Sequence, residues 1–149
     1  MPALILGCGN PDRGDDAAGV LAARRLRELG FNAREHSGEG LSLMEAWRGY
    51  DLVILIDAVS SGAKPGSVFC WDVSQVPLAR DQFRCSSHAF GVAEAIELGR
   101  ELNQLPARLW ILGIEGAGFT AGAAPSSEVA AALPRTVAVA AALVENHPA

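Results

Sequence analysis

Asp51-Leu52-Val53-Ile54-Leu55-Ile56-Asp57 holds the most apolar run of the 149-residue chain. Leucine and β-branched residues fill every position between the two aspartates. A continuous run of this kind predicts a central parallel strand covered on both faces. Four more strands are predicted around it: Ala3–Cys8, Phe31–His36, Ser67–Trp71 and Arg108–Ile114. The strand at Ser67–Trp71 follows the turn signal Lys64-Pro65-Gly66 and is expected at an edge. Between the strands lie helical patterns. Asp15–Leu29 sets Ala18, Ala22, Leu26 and Leu29 on one face, with Arg24, Arg27 and Glu28 opposite, and Gly30 as the C-cap. Leu41–Trp47 and His88–Leu102 follow, the latter with Gly91, Val92, Ala95 and Gly99 on its inner face. Glu128–Asn146 is alanine-rich and expected to be kinked or broken at Pro134. Val73–Ser87 and Glu115–Pro125 read as loops.

Alternating strands and helices predict one α/β domain over residues 1–149: a three-layer α/β/α sandwich with a mainly parallel, five-stranded twisted sheet. In such sheets ligands bind beyond the carboxyl ends of the strands.

Composition narrows the function classes. Half the residues are hydrophobic and 19% are charged, which excludes disorder as the main state. The net charge of −5 and the absence of a basic run argue against nucleic-acid binding and against an anionic membrane surface. No apolar stretch approaches about 20 residues, so no bilayer-spanning segment is expected. Met1-Pro2-Ala3-Leu4-Ile5 lacks the basic start of a signal peptide. The three cysteines, Cys8, Cys70 and Cys85, include no CxxC pair and read as buried, reduced thiols. The chain is therefore expected to be cytoplasmic, and monomeric.

Gly7-Cys8-Gly9-Asn10-Pro11-Asp12-Arg13-Gly14-Asp15-Asp16 joins the first strand to the first helix. Phosphate-binding loops occupy this place, but this one departs from both fingerprints. Asp12 stands where the dinucleotide motif needs glycine, and Asp15-Asp16 follow Gly14 where a phosphate loop needs Lys-Ser/Thr. Two carboxylates repel the phosphate that a helix N-terminus otherwise attracts. No nucleotide cofactor is expected. An aspartate here caps a helix, yet one carboxylate suffices for that. The second has no structural need.

Asp57 closes the predicted central strand. If that strand neighbours the first, Asp16 and Asp57 converge in one crevice; otherwise Asp57 only caps a turn. His88 begins a predicted helix near the same edge, where the helix end disfavours imidazolium and keeps the ring a competent metal ligand. Two carboxylates and an imidazole form a divalent-metal site with open positions, of zinc, nickel or related type. His36, with Glu39 nearby, is a rival at that edge, whereas His147 lies in the tail. Ser37-Gly38-Glu39-Gly40 lacks a nucleophile elbow. A nucleophilic Cys8 competes with its simple burial in the first strand.

Gly7–Val20, Asp57-Ala58 and Ser87-His88 together resemble the hydrogenase maturation endopeptidases, over most of the chain. That family opens with a strand, a Gly-Asn turn and an acidic pair, matched by I-L-G-C-G-N and G-D-D-A-A-G-V. Its strand-terminal aspartate matches Asp57 in L-I-D-A-V, and its histidine matches His88 in S-S-H-A-F-G-V. Weaker agreement continues at Gly113-Ile114-Glu115 and Gly122. The resemblance implies an endopeptidase that removes the C-terminal extension of a nickel–iron hydrogenase large-subunit precursor after nickel insertion. It implies Asp16, Asp57 and His88 as catalytic residues and metal ligands. The metal is then divalent nickel supplied by the substrate, and the precursor is a transient partner. Asp16 is the candidate general base. Asp15 and Asn10 are expected behind the ligands, or as caps. Asp12 and Ala17 depart from the family pattern, and loop Gly116–Pro125 is unusually rich in glycine and alanine. That loop and Val59–Gly66 are candidates for precursor recognition.

Three other readings fit the same residues. A non-cleaving, metal-sensing chaperone of this fold shares the site. A flavodoxin-like small-molecule binding module uses Asp15-Asp16 only as caps. An unrelated hydrolase on a similar sheet acts without a nickel-loaded partner.

Overall fold

A computed structural model describes residues 2–74, 76 and 90–147. Five strands, β1 (Ala3–Cys8), β2 (Ala33–His36), β3 (Leu52–Val59), β4 (Val68–Asp72) and β5 (Arg108–Glu115), form one sheet in the order β2-β1-β3-β5-β4. The expected α/β architecture is present. β2, β1, β3 and β5 run parallel, and β4 pairs antiparallel with β5 at the edge. A short connection from β3 explains the reversal. Residues 60–67 leave no room for the crossover a parallel strand needs.

Alternation along β3 divides the core. Leu52, Ile54, Ile56 and Ala58 face helices α1 (Ala18–Glu28) and α4 (Ser127–Glu145). Val53 and Leu55 face α2 (Gly40–Trp47) and α3 (Val92–Glu101). β1 divides likewise, with Ile5 on the first face and Leu4, Leu6 and Cys8 on the second. These are the three expected layers.

Several details differ from the sequence expectation. The first helix begins as a 3-10 turn, Gly14–Ala17, and becomes α-helical only at Ala18. Neither start has a side-chain cap, because the two aspartates bond elsewhere. Leu29 is exposed rather than on the inner face, since the helix has ended: Gly30 takes a left-handed turn (φ 97°) and Phe31 N–H donates to the Leu26 carbonyl. The second strand is shorter than expected, starting at Ala33. β3 runs two residues past Asp57, because β5 keeps pairing with it as far as Val59 and Glu115. Asp57 therefore sits inside a strand rather than ending it. α4 is unbroken at Pro134. Its inner face, including Val129, Leu133 and Ala140, stays packed on the sheet layer, and that packing offsets the lost backbone bond. Cys70 is exposed on the edge strand, while Cys8 is buried as expected. Cys85 and His88 lie outside the described residues, but the helix predicted over His88–Leu102 starts only at Val92. Gly91 is extended and serves as its N-cap, its N–H donating to Glu94, rather than lying on the inner face.

Among the described residues α4 alone is long and apolar enough, by length and composition, to cross a membrane. This corrects the expectation that no such stretch exists. Much of its apolar count is alanine, and its buried stripe is one face of a helix packed on α1 and β5.

Candidate metal-reading site

Two glycines bring the first helix onto the sheet. A Cβ at Gly7 would stand 2.1 Å from the Gly19 carbonyl oxygen, and one at Gly19 would stand 2.1 Å from that of Ile56. Backbone meets backbone there, so the 3-10 turn comes down against the end of β3. The predicted adjacency of β1 and β3 is present, with Gly7 in register with Ile56.

Asp16 is 6% exposed, and its Oδ2 accepts from the Asn10 N–H at 3.0 Å. Asp57 is equally buried, and its Oδ1 accepts from the Ala58 N–H at 2.8 Å. Asp57 continues the Val53–Leu55 row, so it lies on the same face of the sheet as Cys8. Burial and the nearby Asp16 charge push the Asp57 carboxyl well above its ordinary value, against a bond from the Ala58 N–H. The Cys8 thiol is pushed up for the same reasons: burial first, then the Asp57 and Asp16 charges. The thiolate, the nucleophilic form of the side chain, is thus disfavoured at Cys8. The structure thus brings Asp16 and Asp57 together at the carboxyl edge of β1 and β3. His88 lies outside the described residues. Among those described, no group of three His, Cys, Asp or Glu side chains could hold a metal ion.

The two members of the acidic pair diverge. Asp15 is fully buried and turns toward residues 117–126. It accepts from the N–H groups of Ala117 (2.6 Å), Gly118 (3.2 Å) and Ser126 (2.6 Å) and from the Ser126 hydroxyl (2.9 Å). Burial raises its carboxyl, but these donors outweigh burial and hold it below its ordinary range. Asp15 is therefore not a helix cap. Asn10 is not one either: its side chain accepts from the Asp12 N–H at 2.9 Å, shaping the turn that offers its own N–H to Asp16.

The rivals have other partners. Glu39 caps α2, accepting from the Leu41 and Ser42 N–H groups at 2.8 and 3.0 Å. His36 pairs in register with Cys8, and its Nδ1 accepts from the Gly38 N–H at 2.9 Å. A carboxylate that the sequence left only as weak agreement is Glu115. It is buried at the end of β5 and accepts from the Ser61 N–H at 3.0 Å and the Ser61 hydroxyl at 2.6 Å. Its own backbone holds Gly66 and Ser67, so one residue closes both ends of the β3–β4 loop. Its charge within the apolar end of strand five was the available signal.

The family model for hydrogenase maturation proteases matches residues 38–143. The chain belongs to the hydrogenase maturation protease family. The matched span contains Asp57 and His88, and Asp16 precedes it. Among the family's solved structures, the [NiFe] hydrogenase maturation protease HybD from Thermococcus kodakarensis is 30% identical. It superposes with a TM-score of 0.78, over 96% of this chain and 99% of that one. Protein FrxA of Pyrococcus furiosus is 31% identical over 127 residues, covering 83% of this chain and 91% of FrxA. The hydrogenase expression/formation protein HupD of Thiocapsa roseopersicina is 28% identical over 117 residues, 75% of this chain. The alignment spans about half the length of HupD, 53%. This maturation-protease chain thus shares its fold end to end with HybD.

Proposed function

We propose that the chain is an endopeptidase that removes the C-terminal extension of a nickel–iron hydrogenase large-subunit precursor once nickel is in place. The observation that carries the reading is the buried pair Asp16 and Asp57, two carboxylates converging at the carboxyl edge of the sheet in a member of this family. Like charges in a dry site repel, and a divalent cation relieves them. In this reading the cation is the substrate's nickel, met by Asp16, Asp57 and His88. An unloaded precursor leaves the pair uncompensated, which provides selection for nickel-loaded substrate. Asp16, as base, takes a proton from a water that adds to the scissile carbonyl. The C–N bond then breaks as Asp16 returns that proton to the departing amine, leaving a new carboxylate and a free N-terminus. The reaction takes place in the cytoplasm, in a transient complex of one enzyme with one precursor.

The test is the mass of a nickel-loaded precursor after incubation with wild type, Asp16→Asn or His88→Ala, beside a nickel-free control. A discrete C-terminal loss with wild type and nickel only is the expected result. An intact precursor that still binds would replace the peptidase by a metal-sensing chaperone. No binding to any precursor would sink the reading.

A further inference from the structure

Asp15 is remote in sequence from the loop it holds, yet it is the loop's main anchor. The loop leaves β5 at Gly116, whose N–H donates to the Val59 carbonyl at 3.0 Å, and passes the carboxyl end of β3. It then reaches the β1–α1 turn. There Asp15 N–H donates to the Gly118 carbonyl (2.8 Å), Gly14 N–H to Ala123 (3.0 Å) and Gly122 N–H to Asp12 (2.6 Å). The Asp15 carboxylate adds four bonds from Ala117, Gly118 and Ser126. A Cβ at Gly116 would stand 3.0 Å from the Asp15 Cβ and 2.5 Å from the Phe119 ring, so the loop lies directly on the aspartate. A fully buried carboxylate with four donors is a rigid fixture. The next residue, Asp16, faces the Asp57 side of the same turn.

We infer that Asp15 is a positioning residue: it fixes residues 116–126 as a wall of the Asp16–Asp57 crevice, so that a precursor docks against a preformed surface. The inference rests on the proposed reading of that crevice as the precursor site. A preformed wall lowers the ordering cost of docking, whereas a loosened one raises it without altering the reacting groups.

The test is Asp15→Asn, with Ser126→Ala as a second variant that removes one of the four bonds together with the Ser126 cap on the Val129 N–H of α4. An asparagine keeps the shape but turns an NH2 group toward backbone donors. Two readouts apply: amide hydrogen exchange of the free protein, and steady-state processing of a nickel-loaded precursor. In folded Asp15→Asn, exchange at Ala117, Gly118 and Ser126 should quicken about tenfold while Ile54 and Leu112 stay protected. KM should rise about tenfold with kcat within about twofold. Ser126→Ala should move both in the same direction, by less. A wild-type KM in a folded variant overturns the inference, whether or not the loop amides quicken. So does a fall in kcat at constant KM. Should Asp15→Asn not fold, Ser126→Ala decides on the same criteria. Wild type that processes no precursor removes the functional reading, and this inference with it, while the exchange result still tells whether the latch exists.

Discussion

Gly19 of α1 rests on the backbone of β3, so close that a Cβ there would stand 2.1 Å from the Ile56 carbonyl oxygen and 2.6 Å from that of Cys8. No side chain can give way, because both neighbours are backbone. Gly19→Ala must therefore lift α1 off the strands and displace the turn that carries Asp16. A loss of about 3 kcal/mol or more is expected in denaturant unfolding, with precursor processing abolished. Gly118→Ala is the control. Nothing lies within 4 Å of its added methyl, and stability should stay within about 0.5 kcal/mol.

Asp57 predicts a pH-dependent stability of defined sign. Its folded-state pKa is raised by burial and by Asp16 above the ordinary 3.8. The folded state thus holds the proton more tightly than the unfolded chain. The associated stability is full below the unfolded pKa and is lost as pH rises through the folded one. Asp57→Asn keeps an acceptor for the Ala58 N–H and removes the buried charge. It should raise Tm at pH 7 by a few degrees, and the gain should vanish below about pH 4. Thermal unfolding of both proteins from pH 3.5 to 8 checks this. A wild type that gains stability from pH 5 to 8 relative to the variant would contradict it.

Asp15 carries the opposite sign. Burial raises its carboxyl, but the Ser126, Ala117 and Gly118 donors win and hold it low, so its stabilisation is present above the unfolded pKa and lost as pH falls through the folded one. Asp15→Ala leaves several donors buried without an acceptor and should cost about 3 kcal/mol at pH 7. The deficit should shrink in acid, below the ordinary carboxylate range, as the wild-type carboxylate is itself protonated. Urea unfolding at pH 7 and at about pH 3 measures both.

Glu115 and Ser61 should behave as a coupled pair. Ser61→Ala removes the 2.6 Å hydroxyl bond but keeps the N–H bond, and a loss of about 1 kcal/mol is expected. Glu115→Ala frees the loop entry altogether and should cost more. A double-mutant cycle that shows no coupling would mean that the loop is held by the Gly66 and Ser67 backbone bonds alone.

Cys8 should be silent toward alkylation. It is buried, and its thiolate is opposed first by burial and then by two carboxylates. Iodoacetamide at pH 7.5 should leave it unmodified in the native protein, and Cys8→Ala should process precursor at close to the wild-type rate. Cys70 is exposed at the sheet edge and should be labelled, slowly, because its environment and Asp72 also raise its pKa. Loss of activity on labelling Cys8 would return a cysteine mechanism to consideration.

Much of the architecture was legible locally. Runs such as Leu52–Ile56 and the spacing of Ala18, Ala22 and Leu26 carry their own periodicity, and periodicity is a property of neighbours in the chain. The adjacency of β1 and β3 followed from the commonest order for such sheets and brought Asp16 toward Asp57 as expected. The limits were equally specific. Asp15 and Asp16 look alike in sequence, and either carboxylate suits a helix N-terminus. Their separation depends on donors 102 to 111 residues away.

By itself, the sequence determined the five strands, the four helices, the two-faced core, the acidic pair at the turn and the family to which they belong. Those features arise from short-range pattern, turn chemistry and residue type. Only the tertiary structure decided which carboxylate of the pair faces Asp57 and which locks a loop. It also decided that Asp57 lies within β3, that β4 turns antiparallel and that Cys70 lies open while Cys8 is sealed. Each of those outcomes depends on which distant backbone groups arrive beside a residue once the layers pack. A buried carboxylate takes its role from the donors it meets there.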